Sequence, residues 1–230
     1  MSHRALVLLS LGLAATLHCG DVLGQDSAEP GTLGLEGRAP SGGEETPPSS
    51  PAPASCLDAL AATGATFRPL PAADDAPPVL PGCGMIEPVL LTRGAAGITY
   101  QPALRVSCAF ALALPAVERT IQAVAGESLG EPVEVARVMG SYGCRTIQSE
   151  RSPGRLSEHA FGNAIDVGEL WTRAHHAVVL RDFRRDDATG AFLRAVAERL
   201  RASGMLERLL DPDTNAAHQN HFHLEGHPLR

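Results

Sequence analysis

Apolar residues recur at steps of four and three through Phe110, Leu114, Val117, Ile121 and Val124, the spacing of one buried helix face, and this helix is expected to end near Gly126. Pro115 interrupts its first half, so the regular helix is expected to begin there, where a missing N–H costs nothing. A second stripe, Phe192, Leu193, Val196, Ala197 and Leu200, predicts a helix over 189–203 stopped by Gly204. Cys56–Ala62 reads as a short helix. Strands are expected over 88–92, 133–139, 164–167 and 220–225, with a turn at 140–143 leading into Cys144 and Arg145. Strands and helices in no strict βαβ order predict an α+β fold, with helices packed on an antiparallel sheet.

The first apolar run is of another kind. Residues 5–17 follow the basic Arg4 and read as an export signal, too short for a stable membrane span. Two processing routes fit: cleavage after Gly24, giving a signal peptide over 1–24, or lipidation of Cys19, the one route to a membrane anchor. His18 argues against lipidation, because the residue before a lipidated Cys is normally small. From 25 to 54, half of the residues are Pro, Gly or Ser, without apolar periodicity, so the stretch reads as a disordered spacer before a folded domain over 55–230. An exported protein, periplasmic or extracellular, follows from this layout.

Export changes the meaning of the cysteines. With Cys19 set aside, Cys56, Cys83, Cys108 and Cys144 form the even set that two disulfides require. Three connectivities are open, and sequential pairing, Cys56 with Cys83 and Cys108 with Cys144, is preferred. The net charge is −7, most of it from the 25–54 segment, and nothing points to nucleic acid as a partner. All 19 basic residues are Arg, which excludes a catalytic lysine or Schiff base.

Candidate chemistry is concentrated in two stretches. Ser157-Glu158-His159-Ala160-Phe161-Gly162-Asn163-Ala164-Ile165-Asp166 supplies an imidazole and a carboxylate seven residues apart, with Gly162 allowing a sharp turn between them. That spacing is not helical, so a loop must carry His159 and a strand Asp166. A carboxylate inside an apolar strand is costly unless paired or metal-bound. In His218-Gln219-Asn220-His221-Phe222-His223, His221 and His223 share one strand face while Phe222 enters the core. Together they can supply a third ligand and an acid or base. Three protein ligands leave a fourth zinc position open for water, whose pKa zinc lowers to about 7.

Ser157-x-His159-x-x-Gly162-x-Ala164-x-Asp166 followed by His221-x-His223 resembles the zinc peptidases that cut D-amino-acid bonds in peptidoglycan: D-Ala-D-Ala carboxypeptidases, dipeptidases and penicillin-insensitive murein endopeptidases. More closely, Gly82-Cys83-Gly84, Ser141-Tyr142-Gly143-Cys144-Arg145, Ser157-Glu158-His159-Ala160 and Asn220-His221-Phe222-His223-Leu224 are similar to the bacterial extensin-like C-terminal domain family. The resemblance implies His159, Asp166 and His223 as zinc ligands, and Arg145 as the group that binds a substrate carboxylate or the oxyanion. It implies an exported zinc metallopeptidase, a D,D-carboxypeptidase or endopeptidase, with a peptidoglycan peptide as substrate. Where the carboxypeptidases place an acid or base three residues before the last ligand, this chain has Asn220, which exchanges no proton. The endopeptidases instead surround that ligand with histidines, which makes His221 the expected general base and His218 its helper or a substrate contact.

Several residues carry two readings. Ser157 is either a cap or a substrate contact, and Arg145 can also pair with a surface acid. Glu158 and Glu225 are either solvated or hydrogen-bonded to a metal-bound imidazole. His175, His176 and His227 are expected to be exposed; Trp171 and Phe161 line a groove or pack. The loops 68–82 and 169–187 carry no readable motif. Two rival functions remain: a non-catalytic wall-binding domain that keeps the zinc site, and a metal hydrolase of another secreted substrate.

Overall fold

The computed structural model describes residues 55–71, 80–147 and 154–228. The export signal, the spacer and Cys19 lie outside the described residues. In chain order the elements are α1 (Cys56–Ala62), β1 (Thr66–Pro69), β2 (Pro88–Arg93), β3 (Thr99–Ser107), α2 (Cys108–Leu129), β4 (Val135–Gly140), β5 (Ala164–Trp171), β6 (His176–Val178), α3 (Val179–Asp182), α4 (Ala188–Ser203), β7 (Arg208–Leu210) and β8 (Phe222–Glu225). Single 3-10 turns sit at Glu158–Phe161 and Ala216–His218. The α+β class expected from the pattern is the one observed.

One sheet runs in the order β1-β2-β3-β4-β5-β8-β7, with β6 also paired to β5. It is mixed rather than antiparallel, since β3 and β4 run parallel and are connected through α2. The helix of the first stripe begins at Cys108, not at Pro115, and ends at Leu129 rather than near Gly126. Ser107 caps it by accepting the Phe110 N–H, and Gly130 closes it in the left-handed conformation. Pro115 is tolerated inside because it is buried at the eighth helical position, within the stripe that faces the core. The second stripe forms α4 within one residue of its expected bounds, capped by Asp187 and ended at Gly204.

One strand is longer than its apolar run, one is shorter than expected, and four, β1, β3, β6 and β7, were not legible. β5 extends to Trp171, past the apolar 164–167 run, and β8 starts only at Phe222. The stretches expected to be loops contain β1, β6 and α3. A register shift in the β4–β5 pair pairs Arg137 with Glu169 but Val138 with Val167, so Gly168 is an extra residue. The bulge reverses side-chain alternation: Ile165 and Val167 face the core before it and Leu170 after it. Asp166, between Ile165 and Val167, is on the opposite face by simple alternation.

The core lies between the sheet and the paired helices α2 and α4, filled by Leu104, Phe110, Leu114, Ile165, Phe192 and Phe222 among others. Burying such side chains contributes roughly 1.5–3 kcal/mol each. Disulfides join Cys56 to Cys108 and Cys83 to Cys144. The sequential pairing is therefore overturned. Cys56 opens α1 and Cys108 opens α2, and the bond ties the two helix starts together. Two disulfides are consistent with a periplasmic or extracellular setting.

Candidate metal centre

A row of paired residues crosses the solvent face of the sheet: Leu210 on β7 lies opposite His223 on β8, His223 opposite Asp166 on β5, and Asp166 opposite Gly140 on β4. The short cross-strand spacing places the imidazole and carboxylate side by side. His223 Nδ1 lies 2.9 Å from Asp166 Oδ1. Gly140 makes room for them, since a Cβ there would stand 2.9 Å from Asp166 Oδ2.

His159 arrives from the 3-10 turn above this row. Ser157 caps the turn and Gly162 ends it with φ of 63°, a left-handed conformation that favours glycine. His159 Nε2 reaches 3.2 Å from Asp166 Oδ2 and 3.2 Å from His223 Nδ1. A tetrahedral ion with ligands at about 2.0 Å has ligand atoms about 3.3 Å apart. The three groups thus have the spacing of three corners of such a site, and among the described residues they form a group that could hold a metal ion.

The hydrogen bonds on the far sides of the rings decide what these atoms are. Nδ1 of His159 donates to the carbonyl of Ser141 at 2.5 Å, and Nε2 of His223 donates to Glu225 at 3.4 Å. These tautomers, assigned from the network, leave lone pairs on the two facing nitrogens. Two lone pairs and a carboxylate then converge with no donor between them. Such a set repels itself unless a cation or a proton occupies the centre, and the outward bonds are those that orient metal-binding imidazoles.

Charge follows the same geometry. When a proton rather than a cation sits between them, burial pushes the Asp166 carboxyl up, but donation from the surrounding rings of His159, His221 and His223 outweighs it and holds the group far below the carboxylate range. Burial lowers His223, yet Asp166 and Glu225 more than offset this and raise it. Glu225, buried and bonded to His223 with Arg208 nearby, is held ionised. Of its two readings, the partner of an imidazole is the one observed. Glu158 instead accepts from the Asn163 amide at 3.0 Å.

His221 precedes β8 rather than lying in it, but its ring still converges. Nε2 stands 3.4 Å from Asp166 Oδ1, and Nδ1 donates to Asn220 at 2.8 Å, which leaves Nε2 able to accept a proton. His218 is held in the same manner by Asn215 at 2.7 Å, with its ring centroid 5.2 Å from that of His221. Burial, and then the neighbouring imidazoles of His221 and His223, push His218 down to about 4, so it is neutral at neutral pH.

These residues open onto a cleft of about 360 Å³. Its wall is a two-stranded ribbon in which Thr146 pairs with Leu156, Ser157 N–H donates to Arg145 O and Ile147 N–H to Arg155 O. Arg145, Ile147, Arg155 and Ser157 therefore share the cleft face. The Arg145 side chain is exposed and, among the described residues, makes no hydrogen bond or ion pair, so no surface pair is seen there. Ser157 both caps the turn and lines the cleft. Trp171 packs edge-on against His176 and donates to Glu169, outside the cleft. Phe161 lines a separate groove beside Ile86. His176 and His227 are exposed as expected; His175 is half-buried, close to Glu131.

The sequence reading missed the Ser141 carbonyl, Gly140, Arg155 and Arg208. Backbone acceptors leave no residue-type signal, Gly140 looked only like a turn glycine, and Arg208 sits on a three-residue strand too short to alternate visibly.

Fold and site together define an α+β protein with a His-Asp-His cluster that could hold a metal ion, in a cleft lined by three arginines and three carboxylates. The family model described as extensin-like protein C-terminus matches residues 54–228, and the chain belongs to that family. No curated protein and no solved structure matches it.

Proposed function

We propose that this chain is an exported zinc-dependent peptidase acting on peptide amides in or near peptidoglycan. The observation that carries the reading is the convergence of His159 Nε2, Asp166 and His223 Nδ1 within 2.9–3.2 Å, with both imidazoles oriented by outward hydrogen bonds. All-nitrogen-and-oxygen donors in this number suit zinc with one place left open. A zinc ion held there supplies Lewis-acid polarisation and a nucleophilic water near neutral pH.

The chain's own groups do the rest. Arg145 holds a substrate carboxylate or the developing oxyanion through its free guanidinium. The oxygen of water adds to the carbonyl carbon while His221 Nε2 accepts the proton; that proton passes to the amide nitrogen as the C–N bond breaks, leaving an acid and an amine. Asn220 keeps the His221 tautomer suited to that task. Neutral His218 is a second acceptor at the rim.

Mass spectrometry of muropeptides, after incubation with zinc-loaded protein, tests the reading. New fragments from wild type, absent with His221→Ala of equal zinc content, support a peptidase and identify the bond. Binding to peptidoglycan with no fragments from either protein identifies a wall-binding domain instead.

A further inference from the structure

The cleft carries more cationic groups than the hydrolysis of one amide requires. Arg145 stands at the end beside His218, whose imidazole feels its charge. Arg155, on the ribbon wall, and Arg208, on β7, lie at the other end, both within electrostatic reach of Glu225. The register explains their placement. Ile147 pairs with Arg155 two residues from the Arg145–Ser157 pair, and Arg208 lies opposite Glu225, two residues from the Leu210–His223 pair. The metal cluster is between the two ends.

Each guanidinium is ion-paired at long range but neither makes a hydrogen bond to its carboxylate. Arg208 approaches Glu225 no closer than 3.6 Å and Arg155 approaches Glu158 at 4.0 Å, both beyond hydrogen-bond length. Each of those carboxylates already holds another partner, His223 for Glu225 and Asn163 for Glu158. Elsewhere Arg181, Arg199 and Arg201 donate to carboxylates at 2.6–2.9 Å. Two forked donors therefore keep their hydrogen-bonding capacity for planar anions, beside carboxylates whose closest partners are other side chains.

We infer that Arg155 and Arg208 form a second anion-binding pole, so that the cleft selects acidic peptides with a carboxylate on each side of the scissile amide. One carboxylate docks on Arg145 and the other on Arg155 and Arg208, which places the amide over the metal cluster. This specificity rests on the peptidase reading; the pole itself does not.

The probes are two N-acetylated peptides with a free carboxyl terminus, one bearing glutamate and the other glutamine on the amino side of the scissile amide. Titration calorimetry with the zinc-loaded full chain should show the glutamate peptide binding about tenfold more tightly. The double variant Arg155→Gln/Arg208→Gln should abolish that preference. Arg155→Gln alone, which breaks no hydrogen bond, should reduce it about threefold and so keeps the test open if the double variant misfolds. Equal binding of both peptides by wild type, or a preference left undiminished in folded Arg155→Gln, overturns the pole. If the preference is present and lost on substitution but neither peptide is cleaved, the pole stands and the peptidase reading fails. Cleavage of both peptides with equal KM has the opposite meaning.

Discussion

Gly140 and Asp166 face each other across β4 and β5, and a single methyl group on Gly140 would stand 2.9 Å from a carboxylate oxygen. Gly140→Ala should therefore push Asp166 away from the two imidazoles while leaving the core untouched. Zinc affinity, measured against a chelating dye, is expected to fall at least about tenfold. Gly126→Ala serves as the contrast: its Cβ meets nothing within 4 Å, and inside α2 it should stabilise by about 0.5–1 kcal/mol with unchanged metal binding.

Asn220 accepts from Nδ1 of His221 at 2.8 Å and so keeps Nε2 free. Asn220→Ala should lower kcat by about tenfold with little change in KM, against about a hundredfold or more for His221→Ala. Both variants should keep full zinc content, whereas His223→Ala should lose the metal. Loss of zinc from His221→Ala would move that residue from base to ligand.

The two disulfides separate stability from the site. Cys83–Cys144 closes onto the loop that carries the Ser141 carbonyl and Arg145, and it spans 61 residues. Replacing both cysteines by serine should cost about 4 kcal/mol by loop entropy and also weaken zinc binding. Cys56–Cys108 spans 52 residues at the helix starts, so its removal should cost a similar amount in denaturant unfolding but leave zinc affinity intact.

Glu118 is buried in α2 and accepts from the Tyr100 hydroxyl and the Ala96 N–H, yet burial still raises its pKa. A raised native pKa means that the folded state holds the proton more tightly. The stabilisation is complete below the unfolded value of about 4.3 and is lost as pH rises through the folded pKa. Glu118→Gln does not titrate, so its stability relative to wild type should increase with pH over that window. A relative stability independent of pH would contradict the raised pKa.

Local pattern determined much of this protein. Apolar spacing of 3.6 marks α2 and α4 because a helix face repeats with that period, and the residue types His159, Asp166, His221 and His223 already announce metal or proton chemistry. The fold class followed from the order of elements. What only tertiary structure decided are the relations between distant segments, because pairing energy depends on neighbours in space. His159 and His223 meet across 64 residues of sequence, Cys56 chooses Cys108 because two helix starts abut, and the parallel β3–β4 pair makes the sheet mixed. Alternation along β5 already turns Asp166 away from the core-facing Ile165 and Val167, whereas strand register brings Arg208 to the cleft, which alternation along a single short strand cannot specify.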